Sequence, residues 1–339
     1  MKADKGITCH AWNADCTQIV VACNSPLLEV YQVKGNSWEK IHVLEEHHQL
    51  VSAVDWNHAT NRIISCSHDR NVVVWEKSET WKPELVNFFQ KRGVLDAAWS
   101  KKGDKFVVGS GSKTIGVGYF QDNLNAWNTR KARLNDSSIT CVRFDPSGLV
   151  VAAGSTDSTC IVMTAFLEDV DSNSAHEGRF AGVNTFGEVL YKIEAGAWVN
   201  ALAWSPDANW LAVAVHNSKV VFTNFRQDVE KVWESKPFMS MDFVDNQTLI
   251  CGGFDLTPIK FSKTSSDWDG GSKIEVPEEQ KVSEAASSVK QARMMFEKKR
   301  EREVITTRHK NTILCVRRVN DTHVSSSDIL GELHIWSLR

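Results

Sequence analysis

Residues Val51 to Trp75 read V-S-A-V-D-W-N-H-A-T-N-R-I-I-S-C-S-H-D-R-N-V-V-V-W. Val51, Ala53 and Trp56 mark one apolar-patterned strand, Ile63 to Cys66 a second, and Val72 to Trp75 a third. Between the last two lies the polar turn Ser67-His-Asp-Arg-Asn71, where the Asp69 carboxylate can accept from nearby backbone amides. Trp75 follows Asp69 by six residues. Upstream, His47 stands where it can reach back to the turn. The spacing predicts a hydrogen-bond chain of His47, a serine (Ser65 or Ser67, with Ser67 assigned), Asp69 and Trp75. Such a chain is structural, because a hydroxyl sealed inside a sheet with no oxyanion donors beside it is not a nucleophile.

The same apolar strand opening recurs along the chain. Ile7-T-C-H-A-W12, Val51-S-A-V-D-W56, Val94-L-D-A-A-W99 and Ile139-T-C-V-R-F144 are followed by Val199-N-A-L-A-W204, Phe238-M-S-M-D-F243 and, more weakly, Ile313-L-C-V-R-R318. Most copies are followed by turn residues such as Asp145-Pro-Ser-Gly148 and Ser205-Pro-Asp207. A period near 40–45 residues with an Asp-to-Trp hairpin is that of WD-type blades, each a four-stranded antiparallel sheet. The fold class is therefore all-β, a seven-bladed WD-type β-propeller forming one domain over 1–339. Thirteen Trp against three Tyr fit an architecture that places a large aromatic between successive sheets.

The blades are uneven. Asp157 and Asp255 sit as Asp69 does, but Met163 and Phe261 stand six residues on. Asn217 replaces the aspartate in the fifth unit, and Asp328 is displaced by two residues relative to Trp336. Few residues precede Ile7, which predicts a last blade short of a strand at its edge. Two inserts break the period. Residues 167–195 separate the fourth and fifth repeats, and their Phe186 to Tyr191 stretch reads as an outer strand. Residues 262–309 separate the sixth and seventh repeats. Within them 288–302 reads as a helical arm, with Ser288 and Gln291 at capping-box spacing and Val289, Ala292 and Phe296 on one stripe. Met295 falls at the edge of that stripe and Met294 opposite, and with Phe296 and two Met the segment is too apolar to be left bare without reason. It either folds back on the propeller or enters a partner's groove.

Other readings fail on spacing. Glu45-Glu-His-His48 lacks the i, i+4 pair of a helical metal site, and Cys9-His10 would point to opposite faces of a strand. Gly109-Ser-Gly111 before Ser112-Lys-Thr114 lacks the four-residue spacer of a phosphate loop. No metal, cofactor or catalytic residue is expected. Lys91-Arg92, Lys101-Lys102 and Arg130 to Arg133 read as solvated rim. With a net charge of −3 there is no general pull toward nucleic acid or acidic membranes. No stretch is apolar enough to span a membrane, and the N-terminus is not a signal peptide. Eight scattered cysteines without a C-x-x-C pair read as reduced, buried thiols of a cytosolic protein.

Along nearly its whole length the chain resembles the WD-repeat subunit (subunit 1) family of the actin-related protein 2/3 complex. The resemblance rests on Ile7-T-C-H-A-W-N13, Asp69-R-N-V-V-V-W75 with Thr80-W-K-P83, Lys105-F-V-V-G-S-G-S112, Phe186-G-E188, Ala292-R-M-M-F296 and His309-K-N311. It implies a non-catalytic scaffold in the cytoplasm and actin cytoskeleton that supports nucleation of branched actin filaments. Its partners would be the other subunits of that complex, the actin filament and nucleation-promoting factors, with no nucleic acid and no membrane. Arg293, Met294, Met295 and Phe296 of the arm would carry the contact with actin or the promoting factors. The chain departs from the family in its short start, its charge run from Lys298 to Glu303 and the spacing before Trp336. A WD-repeat adaptor of another complex, such as a ubiquitin-ligase substrate receptor or an RNA-processing scaffold, is the alternative reading, and a propeller hydrolase a more distant one.

Overall fold

The protein is described from a computed structural model that covers residues 1–35, 37–88, 90–121, 123–171, 180, 182–233, 236–265, 267–274 and 308–338. The second strand of each repeat is built mostly of apolar and small residues. Gln18–Cys23, Ile63–Ser67, Lys105–Ser110, Val150–Ser155 and Leu211–Val215 are buried along almost their whole length. The fourth strands differ: Ala126–Ala132 and Asp228–Val232 alternate between exposed and half-buried. Inner strands lose both faces to water only when sheets stack face to face, so this gradient describes sheets arranged radially, rim outward.

Six sheets have four antiparallel strands in sequence order, spanning 7–44, 51–86, 94–132, 139–194, 199–232 and 238–273; a seventh, spanning 313–337, has three. The innermost strands are Ile7–Trp12, Val51–Trp56, Val94–Trp99, Ile139–Phe144, Val199–Trp204, Phe238–Phe243 and Ile313–Asn320. Each packs against the next, and the last returns to the first, so the fold is a closed seven-bladed propeller.

Every innermost strand slips register across its second residue, as between Ile7 and Cys9 or Val199 and Ala201. A bulge there twists the strand and frees one side chain from the alternation. Where that residue is polar it reaches the next blade. Thr8 Oγ1 donates to Val51 O at 3.1 Å, Ser52 Oγ to Val94 O at 2.6 Å, Thr140 Oγ1 to Val199 O at 2.5 Å, and Asn200 Nδ2 to Phe238 O at 2.9 Å.

The seventh sheet is short of a named strand, as expected, but its edge is not open. Lys2 bridges Glu332, Leu333 N donates to Met1 O at 2.9 Å, and Ala3 N donates to Gly331 O at 2.8 Å. These three residues pair with Gly331 to Leu333, where the outer strand Leu333–Ser337 begins, and tie the two ends of the chain together. The close fit leaves no room for a side chain at Gly6, where a Cβ would come within 2.1 Å of Ile329 O.

The described residues of the first insert form one helical turn, Glu168–Asp171, and then the outer strand of the fourth blade, Phe186–Glu194, paired with Thr159–Ala165. Phe180 packs edge-on against Trp204 and Phe225 of the fifth blade. The second insert gives Ser272–Lys273 to the sixth blade as its fourth strand. The helical arm of 288–302, with Arg293, Met294, Met295 and Phe296, lies outside the described residues. No helix among the described residues is long and apolar enough to cross a membrane.

Candidate functional site

In the second blade His47 is 5 % exposed and Ser65 fully buried. His47 Nδ1 meets Asp69 Oδ2 at 3.1 Å, its Nε2 meets Ser65 Oγ at 2.8 Å, and Trp75 Nε1 donates to the same hydroxyl at 2.9 Å. The serine of the chain is thus Ser65, and the assignment of Ser67 is corrected. In the hairpin ladder Ser65 faces Val73, which puts it diagonal to Trp75, within reach of a long side chain. Ser67 stands two residues further toward the turn, where its hydroxyl donates to Gln49 O and accepts from Asp69 N. Asp69 also accepts from the amides of His48 and Asn71. Burial acts to raise its carboxyl, but those amides and the His47 ring outweigh it and hold the group below the usual carboxylate range. Burial lowers the His47 imidazole, which stays neutral.

The turn aspartate does the same job elsewhere with other donors. In the fourth blade Asp157 accepts from Asp136 N at 2.6 Å, and in the sixth Asp255 accepts from Trp233 Nε1 at 2.6 Å. In the third blade Ser112 takes the position and accepts from Arg92 N at 2.9 Å. Each time the hairpin turn grips the loop that enters the blade. This is why Met163 and Phe261 can replace tryptophan without loss of the blade.

The seventh blade restores the whole chain of bonds despite its irregular spacing. His309 Nδ1 meets Asp328 Oδ2 at 2.9 Å, its Nε2 meets Ser326 Oγ at 2.6 Å, and Trp336 Nε1 donates to Ser326 Oγ at 2.6 Å. Ser326 faces His334 as Ser65 faces Val73, so the serine-to-tryptophan register is the same in both hairpins. Asp328 has moved onto the strand end, the place Ser67 has in the second blade, and still reaches the histidine. Asp69→Ala is expected to cost about 1–3 kcal/mol, because it leaves His47 and two amides without an acceptor. Urea unfolding of the variant checks this; an unchanged midpoint would refute it.

None of these groups forms a reaction centre. The ligand atoms of His309, Glu332 and His334 lie within 4.8 Å of one another, but both His309 nitrogens are already engaged, which leaves two donors. Where the innermost strands end, the ring axis opens into a cavity of about 650 Å³. Its charged side chains tie blades together. Arg143 bonds Asp96 at 2.6 Å, Asp55 accepts from Trp99 N at 2.8 Å, and Asp242 accepts from Arg318 N at 2.8 Å. Arg317 of the seventh blade donates to His10 O and Val54 O of the first and second. These contacts rigidify a ring and leave its outside for partners.

The insert residues differ in what is visible. Lys105 of the third blade pairs with Asp171 at 2.6 Å and fixes the start of the 167–195 insert. The second insert leaves the described structure at Ile274, whose amide donates to Pro258 O, and returns at Arg308, whose guanidinium lies 5.2 Å from the centre of the Trp336 ring. Neither anchor was read from the sequence, since both join residues far apart in the chain.

The WD domain, G-beta repeat family model matches residues 38–76, 129–162 and 187–222. Each match begins in the outer strand of one blade and ends in the third strand of the next, so the repeat straddles the blade boundary. The chain is 30 % identical to actin-related protein 2/3 complex subunit 1A-B of Xenopus laevis, over 98 % of this chain and 94 % of that one. It is 33 % identical to subunit 1A of Arabidopsis thaliana, over 76 % and 70 %. It is 31 % identical to subunit 1 of Schizosaccharomyces pombe, over 76 % and 71 %. A closed ring of seven blades, repeats that straddle its blades, and this likeness over nearly the whole length place the chain in the family of WD-repeat subunit 1 of the actin-related protein 2/3 complex.

Proposed function

We propose that the chain works as the non-catalytic scaffold subunit of an actin-related protein 2/3 complex and supports nucleation of branched actin filaments. The observation that carries this is the match to the Xenopus subunit over 98 % of the chain. The geometry agrees with it, because the buried histidine networks and the axial charges serve the ring, and a rigid ring offers faces and edges to several neighbours. The other subunits of the complex are the partners, and the actin cytoskeleton is the place of action.

Affinity purification of the full chain from cytosol is the test. Two actin-related proteins are expected to co-purify; recovery of a cullin-type ligase or of RNA-processing proteins instead would overturn the reading. The finer part of the proposal gives the insert segment 288–302 the contact with the filament or with nucleation-promoting factors, through Arg293, Met294, Met295 and Phe296. An apolar tip flanked by charge suits the helix-in-groove mode of recognition. Phe296→Ala is expected to weaken filament binding or branching about tenfold, the usual scale for losing an aromatic anchor. Its melting temperature should stay within a degree or two of the parent; a large fall would mean that Phe296 is packed core.

A further inference from the structure

On the face where the chain enters its innermost strands, a groove of about 750 Å³ lies between the second and third blades. One wall is the hairpin turn of the second blade with Arg70, held in the left-handed region at φ 76°. The other is the entry to the third blade with Lys91 and Arg92. All three cations are exposed, and none pairs with a carboxylate of the described residues. The contrast with the rim is clear, since there Lys40, Lys219 and Lys231 each hold an acid at 2.6 Å. Among the described residues Asp69 is the one acid lining the groove, and its oxygens already take the His47 ring and two amides.

A second observation points the same way. Gln90 lines the groove, is 9 % exposed, and its side-chain nitrogen is buried without an acceptor. Buried donors are nearly always satisfied, so an orphan amide on a residue of the groove lining marks a side chain that can turn toward an incoming oxygen. Beside it the wall turns apolar, with Phe88 buried and Leu85 55 % exposed.

We propose that this groove binds a peptide segment carrying phosphoserine or phosphothreonine with an apolar residue next to it. Three cations without partners exceed what one carboxylate would neutralise, whereas a phosphate monoester brings nearly two negative charges and three acceptor oxygens. Arg70 and Arg92 hold the phosphate from opposite walls, with Lys91 adding charge. The Gln90 side chain turns its amide out to a ligand oxygen, and the neighbouring apolar side chain covers Leu85. A free phosphate would fill a small part of this volume and leave that wall bare. Lys91-Arg92, a solvated rim when read from the sequence, thus becomes half of a site once Arg70 is set opposite.

The test uses the full chain and fluorescence anisotropy. The probes are a degenerate peptide pool with a fixed central phosphoserine and a leucine beside it, and its unphosphorylated twin. The phosphorylated pool is expected to bind at least about tenfold tighter, and Arg70→Ala with Arg92→Ala to lose about tenfold or more, the scale of charge-assisted hydrogen bonds. Gln90→Met should weaken binding several-fold at unchanged melting temperature, and Arg70→Lys should retain more affinity than Arg70→Ala. Equal binding of both pools, or indifference to the double arginine variant, would overturn the proposal. Inositol hexakisphosphate or inorganic phosphate binding as tightly as the peptide pool would overturn the choice of a peptide.

Discussion

Lys105→Ala should lower the unfolding free energy by about 3–5 kcal/mol, the range for a buried ion pair that loses one partner. The two side chains are 1 % and 4 % exposed, and the ammonium also meets Ala165 O at 3.3 Å. The carboxylate that takes the lysine also accepts from Leu167 N at 2.8 Å, so it closes the turn Glu168–Asp171 as well. Truncation of the lysine removes the cation that balances the buried Asp171 carboxylate, and water cannot enter without loosening the first insert from the third blade. Replacing both partners by apolar residues of similar size removes the buried charge altogether. Lys105→Met with Asp171→Leu should therefore recover most of the loss, because a well-packed apolar pair often matches a buried ion pair. Urea unfolding of the single and double variants decides it. A single variant within about 1 kcal/mol of the parent, below the ordinary cost of such a loss, would mean that the pair does not anchor the insert.

What the sequence displays and what it hides divide along the range of the contacts. The first six innermost strands end on the aromatic that marks them in the sequence, at Trp12, Trp56, Trp99, Phe144, Trp204 and Phe243. Their apolar residues alternate locally, and the turns that follow them are chemically distinctive. The bulges are written only faintly: Val51, Ala53 and Trp56 share burial although a strict alternation would set Trp56 on the other face. Which serine joins the histidine depends on the diagonal across a hairpin, and Asp-to-Trp counting cannot see that diagonal. Counting from serine to tryptophan instead, ten residues in both hairpins, shows that Asp328 belongs to an intact network. The closure by Met1 to Ala3 and the Lys105–Asp171 pair join residues distant in sequence, where no local pattern records the partner. The same holds for the proposed groove, since Arg70 and Arg92 line it from two different blades.

Acid should weaken the ring where its ends meet, and His10 is the residue responsible. It is fully buried on the first innermost strand, with Nδ1 at 2.9 Å from Ser327 Oγ and Nε2 at 2.7 Å from Ser325 Oγ, while Trp12 Nε1 donates to the second hydroxyl. These bonds stitch the first blade to the strand His323–Asp328 of the seventh. Burial, with Arg317 and His309 nearby, pushes the imidazole down to about 3 from an ordinary 6.5. The unfolded chain therefore takes up a proton below pH 6.5 that the folded ring refuses. Stability is full above that pH and falls by about 1.4 kcal/mol per unit below it, or nearly 3 kcal/mol by pH 4.5. His47, His309 and His334 are lowered mainly by burial and add to the loss, while Asp145 and Asp242, raised by burial, act in the opposite sense. The comparison of slopes isolates one residue from this sum: urea unfolding between pH 7 and 4.5 should be flatter for His10→Asn by close to one proton, about 1.4 kcal/mol per unit. Parallel curves for parent and variant would show that the seam admits the proton after all. Ser327 would then have to turn its oxygen to a charged ring beside Arg317, while Ser325, which accepts from Trp12 and donates to the Arg317 carbonyl, already offers its oxygen to Nε2.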